Sequence, residues 1–390
     1  MENASSPAFS PERLNDAVRA RGLTWKALAD IASIRKTTLS DYKNGYIAPS
    51  PDQLGKLAAA LEFPEKYFYH GYFLGARFIG PRLFRASSAL TQRAADQAET
   101  RLKWMSECLM YAEKFLHTPK PDFLEEFKSL HEPMSLEMRQ IEAIALSVRE
   151  KLGYSLKPIN NLVRTLEKSG VAILRYSSLW KVRIDGLSQH SGMDRPLCAI
   201  FTSGETSAVR ETFSLAHELG HIVLHSKINQ RRFDELADGK LLEDQANRFA
   251  AAFLLPSTAF LADLITPAIS YFEHLKKKWR VSIATMIRRC YDLGKISKEE
   301  YSSLNVRLSQ KRWRKKEPLD DIFEAEKPVL IKQIFTTLVQ RHGVKGCQIA
   351  EEMCLNPRDL SSISDLPANF FSDDDGQTNI IGFEVAAARA

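Results

Sequence analysis

The stretch TFSLAHELGHIVLH (212–225) constrains this chain more than any other. Its apolar residues recur at helical spacing. His217 and His221 lie four residues apart, so their imidazoles stand one above the other on a single helix face. Two imidazoles placed that way can bind one metal ion. Glu218 then points beside the ion, where a carboxylate can take the proton of a bound water. Gly220 leaves room for another element to approach the helix closely. The competing reading is an amphipathic helix whose histidines are satisfied core residues. A catalytic zinc ion needs three protein ligands and one open position for water. The question therefore passes to what lies downstream.

The segment EDQANRFAAAFLLP, ended by Pro256, supplies a third candidate. Glu243 and Asn247 are four residues apart and share a face, so Glu243 can complete the ligand set while Asn247 orients a histidine from behind. Asp244 is the weaker alternative because it faces round the helix. His225 continues the stripe of His217 and His221 and reads as a supporting residue. Two expected strands, VAILRY (171–176) and LCAIFTSG (197–204), precede the histidine helix.

At 390 residues the chain is long enough for two or three domains. Its five cysteines are scattered and read as reduced thiols. The N-terminus has no secretory pattern and no apolar run is long enough to span a bilayer, so a cytoplasmic home without membrane contact is expected. The net charge of +6 permits a nucleic-acid partner without requiring one.

Residues 10–70 read as short capped helices. Ser10, Thr24 and Ser50 stand at N-cap positions, Pro11 and Pro51 open helices, and Gly22 and Gly45 close them. A helix, a tight turn and a second helix have the spacing of a helix-turn-helix, whose second helix enters the major groove of double-stranded DNA. That helix starts at Arg35-Lys36-Thr37-Thr38, with Ser40 and Lys43 on its flank. Arg35, Lys36, Thr37, Ser40 and Lys43 are the candidate DNA contacts. Nine basic against seven acidic residues is a weak bias, so a bundle that contacts proteins is the competing reading. A long helix is expected over 90–117, a proline-marked linker to about 135, and helices over 135–169 broken near Pro158. More helices are expected over 258–310, followed by a weakly patterned tail. The basic runs HLKKKWR (274–280) and SQKRWRKKEP (309–318) read as solvated helix faces, each with a buried tryptophan.

LADIASIRKTTLSDYKNGYIAPSPDQLGKLAAAL resembles the repressor-type helix-turn-helix of phage and bacterial regulators. Two departures stand out: Trp25 replaces a phosphate-contacting glutamine, and Ser33 replaces the turn glycine. RETFSLAHELGHIVLH followed by EDQANRFAAAFLLP resembles the ImmA/IrrE metallo-endopeptidases. That likeness extends upstream through IEAIALSVREKLGYSLKPINNLVRTLEKSGVAIL and IDGLS, and downstream through LKKKWRVSIATMIRRCYDLGKIS. LFRASSALTQR resembles the connector of members that carry a helix-turn-helix. The resemblance implies His217, His221 and Glu243 as ligands of one zinc per chain and Glu218 as catalytic base. It also implies a partner helix-turn-helix repressor as substrate.

The expected fold is α+β and mostly helical, with a helix-turn-helix bundle at 10–72 and a helical connector at 73–134. A zincin-like domain with a small sheet follows at 135–310, then a C-terminal region at 311–390. The expected function is that of a gluzincin-like zinc endopeptidase and transcriptional regulator that relieves repression by cleavage. Two alternatives stand beside it. One is a DNA-binding regulator whose metal site is structural or sensory, and the other is an interaction protein that sequesters a repressor.

Overall fold

The computed structural model describes residues 8–71, 78–79, 89–129, 136–177, 185–191, 195–202, 206–226, 228 and 240–372. The fold is mostly helical around one small sheet, as the sequence led one to expect. The N-terminal helices α1 (Pro11–Arg21), α2 (Trp25–Ala32), α3 (Lys36–Asn44) and α4 (Pro51–Leu61) start and stop at the marked residues. The hydroxyls of Ser10, Thr24 and Ser50 accept from backbone N–H groups three residues on, satisfying donors a helix start leaves free. Ser33 sits at φ 54°, so it occupies the left-handed turn position that glycine fills without strain.

The helix expected over 90–117 is α5 (Ala89–Ala112), shorter at its C-terminal end. The pair expected around Pro158 is α6 (Met138–Lys151) and α7 (Leu162–Lys168). Four strands form the sheet: β1 (Phe78–Ile79), β2 (Ala172–Ser177), β3 (Gly186–Ser191) and β4 (Pro196–Thr202). Their order is β1-β3-β4-β2, with β2 parallel to β4 and the other pairs antiparallel. β2 and β4 fall within a residue of expectation at their described ends, whereas β1 and β3 were unanticipated. Residues 203–204 of the expected second strand lie outside the described residues, as do 83–88 of the connector likeness.

The metal-motif helix is α8 (Ala208–His225), followed by α9 (Lys240–Leu254). The stretch 258–310 resolves into α10 (Ser257–Asp263), α11 (Ile269–Trp279), α12 (Ile283–Asp292) and α13 (Lys298–Gln310). The tail that looked weakly patterned contains α14 (Leu330–His342), α15 (Gly346–Met353) and α16 (Pro357–Ser364).

Side chains alternate across a strand, and here the alternation divides two apolar cores. Leu174, Tyr176, Leu187, Leu197, Ala199 and Phe201 face a core shared with α5, the N-terminal bundle and the C-terminal helices. Ile173, Cys198 and Ile200 face the core of α6–α13. Polar ties cross the first core. Arg13 on α1 meets the Glu107 carboxylate on α5 at 2.5 and 3.1 Å, with both side chains buried. Arg21 meets Asp359 on α16 through two 2.8 Å bonds. Tyr176 OH donates to Gln97 Oε1 at 2.8 Å, and Gln97 Nε2 donates to Ala20 O at 3.0 Å, linking sheet, α5 and α1.

Removing one partner of a buried ion pair leaves an uncompensated charge, whereas removing both leaves an apolar gap that can repack. Glu107→Ala is therefore expected to destabilise the chain by about 3–5 kcal/mol in urea unfolding. Arg13→Met combined with Glu107→Leu should recover most of that loss. A double variant as unstable as Glu107→Ala would show that the pair is not what couples α1 to α5.

Candidate metal centre

Helices α8 and α9 pack closely because Gly220 offers no side chain at their crossing. A Cβ there would lie 3.2 Å from Ala246 Cα and 3.2 Å from a ring carbon of Phe249. That close approach brings Glu243 opposite His217 and His221. The Nε2 atoms of the two histidines are 3.1 Å apart. Glu243 Oε2 lies 3.3 Å from His217 Nε2, and its Oε1 lies 3.4 Å from His221 Nε2. Among the described residues, these three groups bring their donor atoms close enough together to hold one metal ion.

The far sides of the two imidazoles settle what the near sides present. His217 Nδ1 is 3.1 Å from Asn247 Oδ1, an acceptor, so in the neutral ring the proton sits on Nδ1 and Nε2 carries the lone pair. His221 Nδ1 is 2.9 Å from His225 Nδ1, and His225 Nε2 is 3.0 Å from Gln245 Oε1. Gln245 Oε1 can only accept, so His225 donates at Nε2 and accepts from His221 at Nδ1. Burial and then the neighbouring His221 lower the His225 pKa to about 3, which keeps this relay residue neutral.

Two imidazole nitrogens and a carboxylate thus converge on one point, an arrangement that suits a positive charge, whether a proton or a metal ion. A tetrahedral ion with bonds of about 2.0–2.1 Å holds its ligand atoms about 3.3 Å apart, close to the three spacings found here. The electrostatics show the same demand for positive charge. Burial pushes the Glu243 carboxyl up, yet the two histidines override it and hold it well below the usual carboxylate range. Burial lowers the His217 pKa, but Glu243 and Glu218 outweigh that and leave it raised.

Glu218 leaves the metal-facing side of α8 and turns toward β3. It is buried, and burial raises its pKa against the opposing pull of His221, His217 and the Ser188 hydroxyl bonded to it. Gly186 makes room for this side chain: a Cβ there would collide with Glu218 Oε1 and lie 2.6 Å from its Cγ. Gly186, Ser188 and Gln245 belong to the site but had drawn no individual attention in the sequence. The IDGLS segment was within the family likeness, yet its glycine and serine gave no strand signal.

The other candidates fall elsewhere. Asp244 is outside the cluster of donors. Arg35, Lys36, Thr37, Ser40 and Lys43 are all exposed along α3 and its N-cap. Lys43 Nζ stands 5.2 Å from the centre of the half-buried Trp25 ring, so the tryptophan at the glutamine position supports a neighbouring cation. Within HLKKKWR, Trp279 is buried as expected, but Lys276 is buried too and not solvated. Lys276 bonds Glu317 and Asp320 at 2.8 and 2.6 Å, and Trp279 Nε1 donates to Asp263 at 2.9 Å. Among the described residues no helix is long and apolar enough to cross a membrane.

Comparison with known families agrees with both parts of the reading. Residues 167–291 match the family described as IrrE N-terminal-like domain, within Peptidase M78, and residues 14–68 match a helix-turn-helix family. The chain thus carries a metallopeptidase-type hydrolase domain and a DNA-binding helix-turn-helix of the kinds its sequence resembled. No curated protein matches the chain.

The fit of Glu218 against β3 gives a structural test that needs no activity. Gly186→Ala forces an atom into occupied space and should cost about 1–3 kcal/mol in thermal or urea unfolding. Adding Glu218→Ala removes the colliding atoms, so the double variant should be more stable than Gly186→Ala alone. Strictly additive losses would mean the two residues do not touch.

Proposed function

We propose that this chain, which joins a helix-turn-helix to an IrrE N-terminal-like domain, is a zinc-dependent endopeptidase and transcriptional regulator. Its substrate would be a partner helix-turn-helix repressor, whose cleavage relieves repression. The observation that carries this reading is the convergence of His217 Nε2, His221 Nε2 and the Glu243 carboxylate, with the buried Glu218 beside them.

His217, His221 and Glu243 would hold one zinc ion per chain, which when bound supplies Lewis acidity toward a carbonyl and acidifies a water. Asn247 fixes the ring of His217, and the His225–Gln245 relay fixes that of His221, so both Nε2 lone pairs stay aimed at one point. Glu218 would act as general base. Burial raises its pKa, which makes the ionised carboxylate a stronger proton acceptor. Ser188 orients that carboxylate through its hydroxyl. Arg289 serves the domain core, its buried guanidinium bonded to Glu142 and Leu255 O.

The helix-turn-helix would place Arg35, Lys36, Thr37, Ser40 and Lys43 against double-stranded DNA, with the short hydroxyls at base edges and the cations at phosphates. The second reading, a DNA-binding regulator with a structural or sensory metal, keeps the same ligands. It gives no account of a buried carboxylate held beside them by Gly186 and Ser188.

The test is co-expression of the full chain with each helix-turn-helix repressor encoded beside it, followed by mass spectrometry. Wild type should cut one repressor at one bond or a few. Glu218→Gln should lose about 10²–10⁴-fold in rate while keeping its metal, and His217→Ala should lose both. If every candidate stays intact with wild type and Glu218→Gln alike, under stress as well as in growth, the non-catalytic reading holds instead.

A further inference from the structure

The turn after α13 carries five cations in six residues: Lys311, Arg312, Arg314, Lys315 and Lys316, all exposed. The acids that follow in sequence neutralise it only in part. Glu317 and Asp320 are buried and engaged with Lys276, and Glu317 also accepts the backbone N–H groups of Ile283 and Ala284 at 2.7 and 3.1 Å. Lys316 pairs with Asp321 at 2.8 Å. Lys311, Arg312, Arg314 and Lys315 have no ion pair among the described residues.

This basic turn is fixed, not a waving tail. Trp313 packs half-buried on the core of the metal-binding domain, with Lys311 Nζ 4.7 Å from its ring centre. Arg314 donates to Ser309 Oγ at 3.0 Å and to Asn305 O at 3.1 Å. Arg210, in the first turn of α8, donates to Arg314 O and so clamps the turn to that helix. Arg210, Ser214, His217 and His221 follow at spacings of four, three and four, which puts them on one stripe of α8. Arg210, Ser214 and His217 are exposed or half-buried. A surface therefore runs from the metal ligands to the basic turn, about 10 Å from His217 to Arg210 at 1.5 Å per residue.

We propose that Arg210 and the 311–316 turn form a docking surface for an acidic segment of the protein substrate, on the peptidase reading of the metal centre. An extended chain advances about 3.3 Å per residue, so the acidic residues would lie about three to six positions from the bond cut. One zinc centre discriminates poorly between peptide bonds, and a remote charged surface supplies selectivity and speeds encounter. DNA phosphate would satisfy the same cations. The surface, however, continues along the metal-bearing stripe of α8, and the DNA-reading face of α3 belongs to the N-terminal bundle, which favours a protein segment.

The experiment uses full-length zinc-loaded Glu218→Gln protein and two fluorescein-labelled 20-residue peptides of one neutral frame. One carries four glutamates toward one end and the other four lysines at the same places. In fluorescence anisotropy at low salt the acidic peptide should bind at least tenfold more tightly, with the advantage shrinking as salt rises. Lys311→Glu/Arg312→Glu/Lys315→Glu should lower that affinity at least tenfold without moving the melting temperature, because the three side chains are exposed. Equal binding of both peptides overturns the proposal. So does an unchanged affinity in the triple variant, or a triple variant that loses only a mixed-sequence DNA duplex. Wild type is then given a peptide pool, and aspartate and glutamate should be enriched a few positions from the cuts; cuts without that enrichment also overturn it. Acidic-peptide binding with no cleavage of any pool would count against the peptidase reading alone.

Discussion

The close approach of α8 to α9 at Gly220 sets everything else at the metal centre. Two histidines four apart on a helix are common enough, and by themselves they bind nothing tightly. They become a site when a carboxylate from a second helix reaches within 3.4 Å of both rings, and that distance exists because Ala246 packs where Gly220 has no side chain. The same contact places Asn247 and Gln245 behind the imidazoles. One missing side chain thus fixes three donors and the two hydrogen-bond chains that aim them.

The sheet carries that local arrangement to the rest of the molecule. β3 holds Glu218 on one face through Gly186 and Ser188, and turns Leu187 to the opposite face, into the core built on α5. From there Tyr176, Gln97 and Ala20 form a hydrogen-bonded path to the first helix of the DNA-binding bundle. Arg21 and Asp359 tie that bundle to the C-terminal helices. The DNA-reading and metal-binding parts are therefore packed through common side chains and not merely strung on one chain.

Much of the centre was legible because helical spacing is a local property. His217, His221, Glu243 and Asn247 each follow from residues four apart and from the demand for three ligands and a support. The capped N-terminal helices were legible for the same reason, down to the left-handed turn at Ser33. What escaped depends on contacts far apart in sequence. β3 reads Gly-Leu-Ser-Gln-His-Ser and buries serines and a glutamine, so neither of its faces has the apolar alternation that marks a strand. Gln245 does not share the face of Glu243 and Asn247 and acquires its role only through His225. The helices α15 and α16 are short, and the apolar residues of α14–α16 make sense only against α5, more than two hundred residues earlier. Lys276 looked like part of a solvated basic run because its partners, Glu317 and Asp320, lie forty residues on.

X-ray absorption at the zinc edge of the purified full-length protein tests the central claim most directly. The account predicts a four-coordinate shell of nitrogen and oxygen at about 2.0–2.1 Å, with outer-shell scattering from two imidazoles. Glu243→Ala should alter that shell while both imidazole signals persist. Sulfur at about 2.3 Å, a single imidazole, or a spectrum unaffected by Glu243→Ala would contradict it.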